Sequence, residues 1–218
     1  MTKKIRSLWR GALLAAAVLL SASPLWAQTA PTLPVPFESY GEDDPAAVAP
    51  KRVDSSDSRG LKVLEQVLQY DPENVSARVQ NAELMIARGM RQRGLDEYLY
   101  ALRLAQADEK KRRMVHWNYG WALFDGGEAR GAVSQWMQAE ALHGGRPQWV
   151  PTTYAIGLWE AQERELAIKF YKSAVRSFPR RWGEAGGLED ATRNWNPNQK
   201  LTIKAVYAAW RAGLGNPR

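Results

Sequence analysis

The feature that most constrains this chain is a pattern of small and large residues that recurs every 34 to 38 positions. One copy is Ala132, Trp136 and Ala139, and the same order of small, aromatic and small residues returns 35 positions later. Such a period is typical of stacked helical hairpins, each of which buries its apolar face against the next. The other copies, found at shifts of +35, −34 and a further −38 residues, are Ala167, Tyr171 and Ala174; Tyr98, Leu102 and Ala105; and Gly60, Leu64 and Val67.

The residue types of this pattern predict how the helices pack. We expect Ala132 and Ala167 where two helices cross, because only a small side chain lets the backbones approach. Trp136 and Tyr171, one turn later, are expected to fill the space against the neighbouring helix. Pro179 follows a helical run and ends it, since proline lacks the amide donor.

The longest step of the pattern needs four residues more than the shortest. We place this extra helical turn at the elbow between two helices, in the segment GMRQRG of Gly89–Gly94. Other copies have a tight turn such as DGGE there. One added turn would keep both helices of the hairpin in phase.

These residues resemble the tetratricopeptide repeat (TPR), a unit of two helices with the signature W-x2-L-G-x2-Y, A-x3-F and P. Gly120 and Leu123 match its first helix, and Ala132 and Trp136 match its second. The resemblance covers residues 59–181. It implies an all-α fold, a right-handed α-solenoid of about 3.5 TPR-like helix hairpins.

The period fades after residue 181. Residues 182–218 are predicted to form C-terminal capping helices, a shorter one and a longer one, that seal the end of the stack. Trp182, Trp195 and Trp210 are expected to pack inward.

The N-terminal residues 1–27 have the order of a secretory signal peptide: basic residues, an apolar run of about a dozen and a small residue, Ala27. The run is short for a membrane span, which needs about 20 apolar residues. Cleavage after Ala27 therefore predicts a periplasmic or secreted protein with no stable membrane span; an uncleaved anchor is the alternative. The remaining chain has a net charge of +3, so nucleic acid is not an expected partner.

Residues 28–58 are rich in proline, alanine, serine and aspartate and have no sustained periodicity. Such a composition predicts a disordered tether, because little apolar surface is available to offset the entropy of ordering. Its PTLPVPF stretch is favourable for polyproline II structure and is either a ligand for another protein or a plain spacer.

The sequence contains no recognisable catalytic or metal-binding motif. It has no cysteine, and its two histidines, His116 and His143, have no partner at a metal-ligand spacing. We therefore expect a protein that is not an enzyme and has no cofactor or metal. The basic run Lys110–Arg113 is interpreted as the solvated start of a helix beside Asp108 and Glu109; a phosphate or acidic membrane site is the alternative.

Aromatic residues form a second stripe beside the face that the repeat buries. Trp117, Trp121 and Phe124 lie at i, i+4 and i+7, which makes this helix apolar over more than the arc of about 100° that one-sided packing needs. In proteins of the resembled family this stripe faces a concave groove that holds a peptide or a partner helix. The predicted partner-binding groove comprises Trp117, Asn118, Trp121, Phe124, Trp149, Ile156 and Trp159.

The function expected from these features is that of an exported adaptor or assembly factor that binds a protein or peptide segment of the cell envelope. Asn118 is expected to bond the backbone of that segment, and the proline-rich tether is itself a candidate occupant. One alternative is that the rings pack only against neighbouring repeats. Others are an oligomeric scaffold joined through exposed tryptophans, and a glycan-binding or cell-wall enzyme subunit.

Overall fold

The computed structural model describes residues 33–49 and 56–213, whose regular secondary structure consists of ten helices. Neighbouring helices pack in pairs, α2 with α3, α4 with α5 and α6 with α7. This part of the chain is therefore all-α, as predicted. The helices are α1 Ser58–Tyr70, α2 Val75–Ala87, α3 Arg91–Leu104, α4 Glu109–Asp125, α5 Ala129–His143, α6 Val150–Glu160, α7 Arg164–Ser177, α8 Pro179–Trp182, α9 Ala185–Ala191 and α10 Pro197–Arg211.

Two further predictions concern the signal peptide and the absence of a membrane span. The signal peptide of residues 1–27, with its cleavage site after Ala27, lies outside the described residues. Over residues 33–49 and 56–213, none of the helices has both the length and the apolar character that a membrane span requires.

Each of the three helix pairs turns through three residues, and the middle residue is left-handed in every case. Its φ angle is 78° at Gly89, 82° at Gly127 and 68° at Gln162. A left-handed residue ends a helix and reverses the chain, and glycine adopts this conformation most easily. The recurrence of one turn geometry in three places makes the repeat visible in the backbone.

The extra four residues of the long step do not lie at the elbow, so the prediction for Gly89–Gly94 is wrong. The turn between α2 and α3 has the same length as the other two, while α4 has 17 residues and α2 has 13. The long step therefore falls between α3 and α5. Gly94 and Tyr98, not Tyr98 and Leu102, occupy the positions of Ala132 and Trp136.

Small residues allow close contact where the paired helices cross. A Cβ atom at Gly94 would lie 2.6 Å from the carbonyl oxygen of Ala82, and one at Gly120 would overlap the indole of Trp136. Trp136 is fully buried, and its Nε1 donates a hydrogen bond to the carbonyl of Trp117 at 3.2 Å. The combination of a small residue and a buried ring thus fixes the spacing of α4 and α5.

Replacing Gln162 by glycine is expected to raise the free energy of unfolding by up to about 1 kcal/mol, because Gln162 is the non-glycine residue among the three left-handed turn positions. Its side chain is exposed, so little packing is lost. Urea unfolding measures the change. The matched control, Gly127→Ala, should lower the free energy of unfolding by a similar amount. An unchanged urea midpoint for both variants would show that a non-glycine residue is not strained at these turn positions.

The C-terminal helices pack onto the last repeat. Helix α10 contacts both α6 and α7, and the hydroxyl of Thr202 donates to Glu160 Oε1 at 2.7 Å. The rings of Trp210 and Tyr171 lie 5.8 Å apart, and Trp182 is buried. Trp195 is also packed against the core, so all three cap tryptophans point inward as predicted.

The N-terminal segment, defined here as residues 34–49, differs from the free tether that its composition predicts. Tyr40 and Ala46 are each only 3% exposed. The Tyr40 amide donates to Ser177 Oγ at 2.8 Å, and Ser173 Oγ donates to the carbonyl of Phe37 at 2.7 Å. This stretch therefore packs along the helices, while residues 28–32 and 50–55 lie outside the described residues.

Candidate functional site: a tryptophan-lined cavity

A cavity of about 900 Å³ lies among α2, α4, the start of α6, the C-terminal helices and the N-terminal segment. Half of the chain's ten tryptophans border it. Amide and charged side chains complete the lining, which is apolar in its larger part. We call this space the tryptophan cavity, and the five rings are those of Trp117, Trp121, Trp149, Trp182 and Trp195.

Helix α4 contributes one wall of the tryptophan cavity. Trp117 and Trp121 are one helical turn apart, and their ring centroids are separated by 5.9 Å. Behind them, the centroid of the fully buried Trp136 lies 5.1 Å from that of Trp121. The Trp121 ring is therefore supported by the core on one side and borders the cavity on the other.

The C-terminal helices contribute an adjoining wall. The centroid of the Trp195 ring lies 5.6 Å from that of Trp121 and 6.4 Å from that of Trp182. Two amide side chains fasten this wall to the end of α4, because Asp125 Oδ1 accepts from Asn196 Nδ2 at 2.9 Å and from Gln199 Nε2 at 2.8 Å. Hydrogen bonds to a carboxylate are stronger than those between neutral groups, so this contact stabilises the position of the C-terminal helices beside α4.

Hydrogen-bond donors stand at the α4 wall. Asn118 is only 2% exposed, and its Nδ2 donates to the carbonyls of Met114 at 2.8 Å and Val48 at 3.1 Å. The indole N–H groups of Trp117 and Trp121 are buried and have no acceptor among the described residues. Buried donors are normally paired, so these two indole nitrogens are exceptions within the described residues.

The N-terminal segment forms the remaining side of the cavity through a buried carboxylate. The Asp44 side chain is 0% exposed, and its Oδ1 lies 2.9 Å from Arg113 Nε. This approach is an ion pair and not an aligned hydrogen bond. Asp44 Oδ2 accepts from Trp149 Nε1 at 3.1 Å, and Oδ1 accepts from the amide of Ala46 at 3.0 Å. The carboxylate thereby joins the segment to α4 and to the residue before α6.

The structure brings four of the seven predicted groove residues to the cavity: Trp117, Asn118, Trp121 and Trp149. The prediction is wrong for Ile156, which is 0% exposed, because every residue of α6 from Val150 to Leu158 is buried. Helix α10 packs on α6, so α6 is covered by helices other than its pair partner α7.

Phe124 and Trp159 also lie outside the cavity lining. Phe124 is 7% exposed and packs on Trp136, with ring centroids 6.0 Å apart. Trp159 is half-buried. The guanidinium carbon of Arg164 lies over its ring, 5.1 Å from the ring centroid. The second stripe of α4 therefore divides, since its first two rings border the cavity and its third joins the core.

The basic run Lys110–Arg113 divides in the same way. Lys111 pairs with Asp108 at 3.4 Å and Arg112 with Glu109 at 3.8 Å, which is the solvated helix start that the sequence predicts. Arg113 instead contacts the buried Asp44. Its Nη1 also donates to the carbonyl of Leu142 at 3.2 Å, so its side chain is held between the helices and the N-terminal segment.

Sequence reasoning missed Asp44, Trp182 and Trp195 as members of this site. Asp44 stands in a stretch with no period, and the two tryptophans follow the last repeat. The only sequence signal for the two tryptophans is the high tryptophan content of the chain, which does not say where in the fold they lie. Within the described residues, no group of three or more histidine or acidic side chains is placed to hold a metal ion.

Comparison with known proteins gives no match: no protein-family model, no curated protein and no solved structure is significantly similar to the chain.

Proposed function

We propose that this protein is an exported, non-catalytic adaptor of the TPR type, acting in the periplasm or outside the cell. Its helix pairs form a right-handed α-solenoid with C-terminal capping helices, and the tryptophan cavity binds a polypeptide segment of an envelope protein. The repeated left-handed turn at Gly89, Gly127 and Gln162 supports the TPR assignment, because each repeat then reverses direction in the same way.

One observation carries the binding proposal: the chain's own polypeptide already lies along the cavity. The side-chain amide of Asn118 donates to the backbone carbonyl of Val48, which is the contact expected for a bound peptide. A side chain that recognises a main-chain carbonyl accepts many sequences. The same wall is therefore suited to a segment from another protein.

The lining of the cavity also favours a polypeptide ligand. Ligand pockets usually measure about 300–1,000 Å³ and are mostly apolar with a few polar groups, and this cavity fits both descriptions. Tryptophan is enriched among the residues that dominate binding energy. Five such rings around one space, with Asn118 and Gln148 between them, provide apolar contact and backbone recognition together.

An oligomeric scaffold joined through exposed tryptophans is less well supported. Every tryptophan in the described part of the chain is buried or half-buried. A glycan ligand remains an outcome of the experiment, because tryptophan faces also stack on sugars.

Site-specific crosslinking in intact cells tests the proposal. A photo-crosslinking amino acid at Ala122, which lines the cavity beside Trp121, should capture a polypeptide other than the chain itself. The matched control is the same amino acid at Arg130 on α5, whose side chain is 79% exposed and is not part of the cavity lining. Mass spectrometry identifies the captured material.

The outcomes separate the alternatives. Capture of a polypeptide from Ala122 and not from Arg130 supports the adaptor. Capture of cell-wall glycan would favour the glycan binder, and capture of a second copy of this chain would favour the scaffold. Equal capture from the two positions would contradict a binding role for the cavity.

A further inference from the structure

We propose that residues 44–49 are an internal stand-in for the ligand, and that the ligand is a polypeptide with a carboxylate followed three and five residues later by large apolar side chains. This inference rests on the proposed function, because it names the ligand of the same cavity.

The carboxylate requirement comes from Arg113. Its side chain is 15% exposed and lies beside the fully buried carboxylate of Asp44. A buried guanidinium that loses its carboxylate partner is strongly disfavoured, so a molecule that displaces the segment must bring a carboxylate of its own. The indole N–H of Trp149 donates to the same carboxylate and fixes where it binds.

The next contacts are permissive about sequence. Ala46 is only 3% exposed, so its methyl group is covered by the protein. At Val48 the contact is made by the backbone carbonyl, which accepts from Asn118, while the residue itself is 50% exposed. A ligand with a small residue two positions after its carboxylate therefore makes the same contacts.

The apolar requirement comes from Ala47 and Ala49, which line the tryptophan cavity. Their side chains end at a methyl group, and a space of about 900 Å³ remains beside them. Burial of apolar surface strengthens binding by about fourfold for each methylene group. A ligand with leucine or phenylalanine at these two positions would fill space that the chain's own segment leaves empty, and would bind more tightly.

The internal segment is consequently a weak competitor for its own site. Because it is covalently attached, its effective concentration is high, and a ligand must exceed its affinity to displace it. Weakening the Asp44 anchor should therefore expose the site to ligands added in solution. The same change should leave the helices intact, since asparagine keeps an oxygen beside Arg113 and Arg113 still donates to the carbonyl of Leu142.

The test uses the full chain and fluorescent peptides that correspond to residues 41–49. The native sequence is GEDDPAAVA; the second peptide, GEDDPALVL, has leucine at positions 47 and 49; and the third, GEDNPALVL, has asparagine in place of the anchoring aspartate. Fluorescence anisotropy measures their affinities for the wild type, Asp44→Asn and Arg113→Met. Asp43→Asn is the matched control, because it neutralises the neighbouring exposed acid, whose bond is with the neutral Gln148 amide and for which asparagine keeps an acceptor oxygen.

We expect GEDDPALVL to bind at least tenfold more tightly than GEDDPAAVA. Its affinity should rise about tenfold in Asp44→Asn but not in Asp43→Asn. Arg113→Met should bind GEDDPALVL and GEDNPALVL equally, whereas the wild type should prefer the former. Circular dichroism spectra that match the wild type verify that each variant keeps its helices.

Two results would overturn the inference. The first is that leucine at positions 47 and 49 does not raise the affinity of the peptide. The second is that GEDDPALVL binds Asp44→Asn no more tightly than it binds Asp43→Asn. If no peptide binds while Ala122 still crosslinks to a polypeptide, the ligand class is wrong and the adaptor function stands. If the crosslinker at Ala122 also captures no more polypeptide than the crosslinker at Arg130, the proposed function fails together with the inference.

Discussion

Replacing Trp136 by alanine is expected to lower the free energy of unfolding by about 4 kcal/mol, because the substitution leaves a large void in a close-packed core. Trp136 is fully buried, fits against Gly120 and donates a hydrogen bond to the carbonyl of Trp117. Natural domains are stable by only about 5–15 kcal/mol, so a loss of this size brings the chain close to unfolding.

Urea unfolding followed by circular dichroism measures the loss. Trp136→Phe is the control, since it keeps a ring in the core but removes the N–H donor, and it should cost much less than the alanine variant. Trp121 packs on Trp136, so the alanine variant should also weaken the wall of the tryptophan cavity. A loss below about 1 kcal/mol would contradict the close packing of α4 on α5.

Replacing Tyr40 by alanine is expected to detach the N-terminal segment from the helices. Tyr40 is 3% exposed, and its hydroxyl accepts a hydrogen bond from the amide of Phe37 at 3.0 Å. Burial raises the pKa of the Tyr40 phenol to about 12, so the ring is held in its neutral form. Truncating a buried aromatic ring costs about 3 kcal/mol or more. Here the loss weakens the packing of the N-terminal segment on the helices.

Limited proteolysis measures this detachment. Cleavage between residues 34 and 49 should be much faster in Tyr40→Ala than in the wild type, while the circular dichroism spectrum stays unchanged. Phe37→Ala is the matched control, because Phe37 is 44% exposed and contributes less apolar burial. Equal cleavage rates in Tyr40→Ala and the wild type would show that Tyr40 does not anchor the segment.

The helix pairs were predictable from the sequence because their signals are local. The residues at Ala132 and Trp136 are small and large at helical spacing, and both are fully buried. The register of the first copies was harder to predict, since a step of 34 or 38 residues fits either Gly94 or Tyr98. Contact between Gly94 and the backbone of α2 decides between them, and periodicity does not contain that contact.

The candidate site was only partly predictable, for the same reason. Trp117 and Trp121 belong to a stripe that helical spacing reveals. Whether such a stripe faces a cavity or the core depends on distant parts of the chain. Ile156 is fully buried in a helix that also packs against α10, and Trp195 follows the last repeat before it reaches Trp121. Sequence spacing carries no information about these contacts.

The N-terminal segment shows the limit of compositional reasoning. A stretch with few apolar residues cannot fold alone, which is the basis for predicting a tether. It can nevertheless dock on a surface that other residues have already formed. Burial of Tyr40 and Ala46, with the contacts of Asp44, gives this stretch enough interactions to be ordered.

Hydrogen exchange of the wild-type chain tests most directly whether its own polypeptide occupies one side of the tryptophan cavity. The amides of Gly41 and Glu42 both donate to the carbonyl of Arg146 at 3.1 Å, and those of Tyr40 and Ala46 are also bonded. We expect these four amides to exchange at least tenfold more slowly than in a free peptide of the same sequence. Exchange at the rate of the free peptide would contradict the account.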